Sequence, residues 1–180
     1  MRKVIFYVFS VLGSVFVVFV FVLYAQWHPI VTVNGSRIWA RHYFDQVNGF
    51  ERYRRIANEE LDGDAVRRGI VLALIIDSLI QGELLRKEIT GKEMEMRVEE
   101  ALRTQDREKL EKATQQLYGW TIRDLKKFSL EPQARQDILT SVLEKEGKEF
   151  NAWLQEEFQI ATIKIYFLPY RWQAGELIDR

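Results

Sequence analysis

The chain has 180 residues, with 26 basic and 26 acidic side chains and no cysteine. The absence of cysteine excludes thiol catalysis, disulfide bonds, thiolate metal ligands and a lipidated cysteine. The balanced charge argues against nucleic-acid binding, which requires a clustered basic face. An apolar content of 47% is higher than that of disordered chains and predicts a folded core.

The N-terminal segment predicts a membrane anchor. Residues 4–24 carry no charge, and as a helix they would extend about 31 Å, close to the thickness of the bilayer hydrocarbon. Two basic residues precede this run, and Trp27 follows it at the height of the membrane interface. This arrangement predicts a single-pass protein of the cytoplasmic (inner) membrane, with its N-terminus in the cytoplasm and the remaining chain outside.

A cleaved signal peptide is the alternative interpretation of the same segment. Its apolar core would be shorter, about 7–15 residues, and would end at a small-x-small cleavage site. Leu23-Tyr24-Ala25 is a poor site of that kind. We therefore expect residues 1–26 to be a signal anchor in contact with the lipid bilayer, and residues 27–180 to form one extracytoplasmic domain.

The domain is predicted to begin with a short strand and an aromatic-rich helix. Ile30 to Val33 is rich in β-branched residues, and the Asn34-Gly35 pair that follows favours a tight turn. Residues 36–39 either pair back on this strand or lead directly into the next helix. Apolar and aromatic residues then recur at steps of three and four over residues 40–57, which predicts a helix with a weak point at Gly49.

Asp64 to Ile89 predicts the central helix of the domain. Apolar residues lie on most of its circumference, so it needs neighbours on most sides. The polar stretch before it predicts a loop, with Asp62 or Asp64 as the cap of the helix. Between Gly69 and Ile80 the only charged residue is Asp77.

The next segments predict further helices separated by capping residues. Thr90 and Glu93 fit a capping box, and residues 103–109 contain no apolar side chain, which is typical of a solvated surface. Helical spacing resumes at residue 110. Gly119 then fits a helix end and Thr121 a helix start.

The last third of the chain predicts helices and then a closing strand. A short helix over 122–128 precedes a longer one with Pro132 in its first turn, and Gly147 separates that helix from a last one at 150–158. Residues 162–167 alternate as a half-buried strand that Pro169 stops. The predicted fold is therefore mainly α, with a two-strand β element formed by residues 30–33 and 162–167.

Few residues in the sequence favour chemistry. His28 and His42 are the only histidines, and neither belongs to a triad or metal-binding spacing. Asp77 could be a buried acid, but we expect a structural role in which it bonds Gln81 or Ser78. There is no glycine-rich phosphate loop, so no cofactor or metal is expected.

The aromatic side chains of the first helix are the best candidates for a binding surface. Most of them are expected in the core, but five aromatics on one short helix exceed what a single face buries. The candidate peptide-binding residues, which include two aliphatic residues of the central helix, are Trp39, Tyr43, Phe44, Phe50, Tyr53, Ile76 and Ile80.

The order of these motifs resembles the N-terminal, peptide-binding domain of the SurA-like chaperones, and the corresponding parts of PpiD, PrsA and trigger factor. The resemblance covers residues 30–167. It is carried by Val31-Thr-Val-Asn-Gly-Ser-Arg-Ile38, by Leu74-Ile-Ile-Asp-Ser-Leu-Ile-Gln-Gly-Glu-Leu-Leu85 and by Leu117-Tyr-Gly-Trp-Thr-Ile-Arg-Asp-Leu125. Trp39 stands where the family has a Ser or Thr helix cap. Most relatives also carry a parvulin-type isomerase domain, for which this chain has no segment of sufficient length.

The resemblance implies a chaperone of the holdase type that binds unfolded or aromatic-rich segments of exported proteins. It implies no peptidyl-prolyl isomerase activity, so the protein is not expected to be an enzyme. The alternative is a single-pass scaffold that docks one membrane or envelope complex through a flat interface.

Overall fold

The computed structural model describes residues 27–58, 62–89 and 91–180. The predicted membrane anchor, residues 1–26, lies outside these ranges, as does Thr90 of the predicted capping box. Within the described ranges, no helix has the length and apolar character that crossing a bilayer requires.

The described part of the chain is mainly helical, as predicted. Its helices are α1 (Ala40–Ala57), α2 (Gly63–Arg86), α3 (Gly91–Arg103), α4 (Arg107–Tyr118), α5 (Ile122–Leu125), α6 (Glu131–Lys145) and α7 (Phe150–Ile160), with a π-helical turn at Lys126–Leu130. Its strands are β1 (Pro29–Val33), β2 (Ser36–Trp39), β3 (Ile163–Ile165), β4 (Tyr170–Gln173) and β5 (Glu176–Asp179).

The first three strands form an antiparallel sheet in the order β2-β1-β3. Asn34 and Gly35 both adopt positive φ in the turn between β1 and β2, as the sequence predicts. The pairing of β1 with the late strand is confirmed, with Val31 opposite Ile165. The prediction of a two-strand element was wrong in extent. The sheet has a third strand, because β2 also pairs with β1, and β3 ends at Ile165 rather than at residue 167.

Residues 36–39 pair back on β1 as strand β2, and they also lead directly into α1. Both alternatives for this segment therefore hold at once. Trp39 precedes the helix and makes no side-chain capping bond. Instead, the backbone N–H of Ala40 donates to the carbonyl oxygen of His28 at 2.9 Å. The sheet therefore satisfies one of the backbone donors that the first turn of α1 leaves without an intrahelical partner.

The prediction that the late strand is the last element was wrong. Strands β4 and β5 form a separate antiparallel hairpin after Pro169, with Ala174 and Gly175 at positive φ in its turn. Tyr170 and Leu177 of this hairpin are buried in the core. Strands of four residues give an alternation too brief to stand out in the sequence.

Helix α2 is the central helix, as predicted, and it packs against α1, α6 and β1. Asp62 is its cap and accepts a bond from the backbone N–H of Asp64 at 2.9 Å. The helix ends at Arg86, three residues before the predicted end. Its buried apolar face consists of Ile70, Val71, Leu74, Ile75, Leu79, Ile80 and Leu84.

The region from Ile122 to Lys145 is one helical run rather than two predicted helices. Thr121 and Asp124 form a capping box at its start, which confirms Thr121 as the cap. The expected break after Phe128 is replaced by the π-helical turn, which precedes Pro132 in the first turn of α6. The backbone N–H of Glu131 donates to the carbonyl oxygen of Lys126, five residues back, and Pro132 follows in the first turn of α6, where a missing N–H is tolerated.

Candidate functional site: a groove between α2 and α6

Two adjoining cavities lie between α2 and α6, with volumes of about 350 and 190 Å³. They share Gln81, Leu85 and Arg135, so they form one continuous depression, which we call the α2–α6 groove. Strand β2 lines the larger cavity through residues 36–39. The smaller cavity is lined by Leu84, Ile89, Gly91, Met94 and Ile138 as well as the shared residues.

The side chain at the centre of the α2–α6 groove is an exposed leucine. Leu85 is 76% exposed although it belongs to the helix that forms the middle of the core. Met94 lies partly buried in the smaller cavity, and its unbranched thioether adapts to irregular apolar shapes. The groove therefore offers apolar contacts at its centre and at its α3 end.

An ion pair lies in the larger cavity of the groove. Nε and Nη2 of Arg135 donate to the two carboxylate oxygens of Asp77 at 2.8 and 2.9 Å. Nε2 of Gln81 also donates to Asp77, at 2.8 Å. The side chains of Asp77 and Arg135 are both only 12% exposed.

This geometry gives Asp77 a structural role and confirms the predicted bond to Gln81. Its carboxylate accepts three hydrogen bonds, and two of them form a bidentate pair with a guanidinium, which is a strong, directional contact. Sequence reasoning missed Arg135. The isolated charge of Asp77 in an apolar stretch implied a cationic partner, but the sequence contains 26 candidates and does not rank them.

His42 lies at the end of the groove nearest to Trp39. Burial, and then the charge of the nearby Lys127, lowers the pKa of His42 from 6.5 to about 4. The imidazole is therefore neutral at neutral pH. Among the residues that the structure describes, no group of three or more acidic or histidine side chains could hold a metal ion.

The predicted peptide-binding residues do not form one surface. Of the seven, Trp39 alone lines the groove. Tyr43 and Ile80 are 2% exposed and belong to the core, where a bound peptide would not reach them. Phe44 and Ile76 are half-buried and pack against the same core.

Phe50 and Tyr53 belong to a different cluster, which joins α1 to the end of α4 and to Trp120 just after it. The ring of Tyr53 stacks on Tyr118 at 5.2 Å, and Tyr118 stacks on Trp120 at 4.8 Å. Phe50 meets both Tyr118 and Trp120 edge-on. These rings pack on one another in a contact between helices, although Phe50 remains 39% exposed.

The chain matches no protein-family model, no curated protein and no solved structure. The SurA-like resemblance remains a prediction from the sequence motifs.

Proposed function

We propose that the protein is a membrane-anchored extracytoplasmic holdase, which binds unfolded, apolar or aromatic-rich segments of exported proteins in the α2–α6 groove. The observation that carries the proposal is the exposure of Leu85 between the two adjoining cavities. Leu85 shares the smaller cavity with Leu84, Ile89, Met94 and Ile138, and concave, mostly apolar surfaces of this kind are typical of binding sites.

The groove suits side chains of an extended segment rather than a folded partner. Ile38 and Trp39 lie at one end and Met94 and Ile138 at the other, so apolar side chains of a client would find partners at both ends. The bidentate contact between Asp77 and Arg135 fixes the polar part of the lining before a client arrives. A preformed site reduces the conformational entropy that binding would otherwise cost.

The proposal involves no cofactor and no peptidyl-prolyl isomerase activity. Holding an unfolded segment requires only reversible burial of apolar surface, which needs no bond chemistry. An isomerase assay on a proline-containing peptide should therefore give the uncatalysed rate.

The test compares two exposed aliphatic residues in the full-length protein reconstituted in nanodiscs. Leu85 and Ile160 are 76% and 72% exposed, but Ile160 lies at the end of α7 and lines neither cavity. The wild type should slow the aggregation of an unfolded exported protein and bind an aromatic-rich fluorescent peptide. Leu85→Ser should weaken peptide binding about ten-fold, because burying a leucine contributes roughly 1.5 kcal/mol.

Ile160→Ser is the matched control and should bind the peptide as the wild type does. The proposal fails if the wild type neither slows aggregation nor binds the peptide at high micromolar concentration. Crosslinking in cells that captures one dominant folded partner, rather than many exported chains, would instead favour the single-pass scaffold.

A further inference from the structure

Three exposed aromatic side chains lie at the same end of the three-stranded sheet. Trp27 precedes β1, Trp39 ends β2 and Phe167 follows β3. Because β1 is antiparallel to both neighbours, its start lies beside the ends of β2 and β3. The three side chains are 64%, 45% and 72% exposed, respectively.

Contacts within the structure confirm that these positions are close together. Pro29 lies opposite Trp39 in the sheet register. On the other side of β1, the ring of His28 meets that of Phe167 edge-on, with centroids 5.2 Å apart. We call this surface, formed by Trp27, Trp39 and Phe167, the aromatic end.

Exposed aromatic residues are concentrated at the aromatic end. Among the described residues, the large aromatic side chains with high exposure are these three, Tyr166 next to Phe167 in the sequence, and Phe50, which packs against Tyr118 and Trp120. Aromatic rings next to cationic side chains are the composition that membrane–water interfaces select.

Cationic side chains accompany the rings. A cavity of about 620 Å³ between Trp27 and Trp39 is lined by these two residues and by Arg41, His42 and Lys127. The side chain of Arg41 is mostly exposed, and its contact with Asp45 is long, at 3.8 Å. Lys127 lies over the ring of Phe128, 5.0 Å from its centroid. The positive lining complements anionic lipid headgroups.

The aromatic end follows closely after the predicted membrane span in the sequence, so the bilayer is the surface nearest to it. The predicted membrane span ends at residue 24, three residues before Trp27. Three residues reach at most about 11 Å when fully extended. With that span in the bilayer, the aromatic end lies within the depth of the headgroup region or just above it.

We propose that the aromatic end docks onto the bilayer surface, with its rings at the headgroup level and with anionic headgroups around Arg41 and Lys127. This inference rests on the membrane anchor of the proposed function. Trp39 also lines the α2–α6 groove, so one end of the groove opens next to the membrane.

The test uses the full chain in nanodiscs of phosphatidylcholine, with and without phosphatidylglycerol. The chain has no cysteine, so single-cysteine variants accept one nitroxide label each. Phe167→Cys places the label at the aromatic end. Ile56→Cys is the control, because Ile56 is exposed and lies 16 residues after the start of α1, about 24 Å along the helix.

The label at 167 should collide several-fold more often with lipid-soluble oxygen, relative to a water-soluble nickel complex, than the label at 56. Phosphatidylglycerol should increase this difference, and Arg41→Glu together with Lys127→Glu should remove the increase. Equal water accessibility at 167 and 56 in discs that contain the inserted protein would overturn the docking, and would leave the holdase proposal untouched.

The docking would also be overturned if the label at 167 were shielded from the water-soluble nickel complex only after an unfolded client is added. That result would assign the aromatic end to clients. Conversely, lipid contact at 167 in a protein that fails the aggregation and peptide assays would support the docking and reject the holdase. The two proposals therefore fail in different experiments.

Discussion

The indole of Trp120 lies directly over Gly49, so that a Cβ atom at position 49 would be 2.2 Å from Nε1 of Trp120. The same Nε1 donates a hydrogen bond to the carbonyl oxygen of Asp45 at 3.3 Å. Trp120 is buried and connects α1 to the start of the helical run at Ile122. The glycine that looks like a weak point in α1 is therefore the position that lets another segment pack on it.

Gly49→Ala should destabilise the protein. Alanine is the better helix former by about 1 kcal/mol, but its Cβ would force the buried indole to move, and overpacking costs about 1–3 kcal/mol. The bond to Asp45 would be lost at the same time. We expect a net loss of about 1–2 kcal/mol in the free energy of unfolding, measured by urea denaturation followed by circular dichroism.

Gly69→Ala is the matched control for that substitution. Gly69 also lies inside a helix, and a Cβ there would meet nothing within 4 Å. It should stabilise the protein by up to about 1 kcal/mol. Equal effects of the two substitutions would show that the contact with Trp120 has no influence on stability.

Arg135→Met should be strongly destabilising, because it leaves the largely buried carboxylate of Asp77 without its bidentate partner. Loss of one member of a buried ion pair costs about 3–5 kcal/mol. Adding Asp77→Leu should restore most of that loss, since an apolar pair of similar volume replaces both charges. Urea denaturation of the two single variants and the double variant measures the coupling.

If the double variant is no more stable than Arg135→Met, the two charges do not compensate each other. Glu131→Gln serves as the control for charge alone. Glu131 lies 3.7 Å from Arg135 in a more exposed i,i+4 contact, which should contribute less than about 0.5 kcal/mol.

His42 should make the protein less stable as the pH falls from about 6.5 to 4. The pKa of His42 is about 4 in the folded protein and has its ordinary value of 6.5 in the unfolded chain. Between these two pH values the unfolded chain therefore binds a proton that the folded chain does not. Above pH 6.5 the imidazole is mainly neutral in the unfolded chain as well, so His42 no longer lowers the free energy of unfolding. Between pH 7.5 and 5 the loss should be about 1–2 kcal/mol, allowing for partial solvent screening.

His42→Asn removes the titration and keeps a polar side chain of moderate size. Comparing the free energy of unfolding of the variant and the wild type across this range isolates the histidine, because both proteins share the same carboxylates. Parallel pH profiles would contradict the prediction.

Thr121→Ala should destabilise the helical run that begins at Ile122. The Thr121 hydroxyl accepts from the backbone N–H of Asp124 at 3.3 Å, and the Asp124 carboxylate accepts from the backbone N–H of Thr121 at 2.9 Å. Loss of such a cap costs about 1 kcal/mol. Asp124→Ala should cost a similar amount, and the double variant should cost less than the sum because the two bonds form one motif.

The sequence by itself determined the features that arise within a few residues. The left-handed glycine at 119 and the Asn34-Gly35 turn follow from local backbone geometry, and the helix cap was narrowed to Asp62 or Asp64, of which Asp62 is the cap. The apolar face of α2 follows from the helical period. These features depend on neighbours three or four positions away, so their signals are complete in a short stretch.

The tertiary structure alone decided which side chains meet. Arg135 pairs with Asp77 across 58 positions of sequence, and Trp120 packs on Gly49 across 71. It also separated the seven candidate residues into core, aromatic cluster and groove. A helical period shows that a face will be buried but does not specify the element that covers it. The exposure of Leu85 therefore followed only from where α6 packs against α2 and α3 packs against α6.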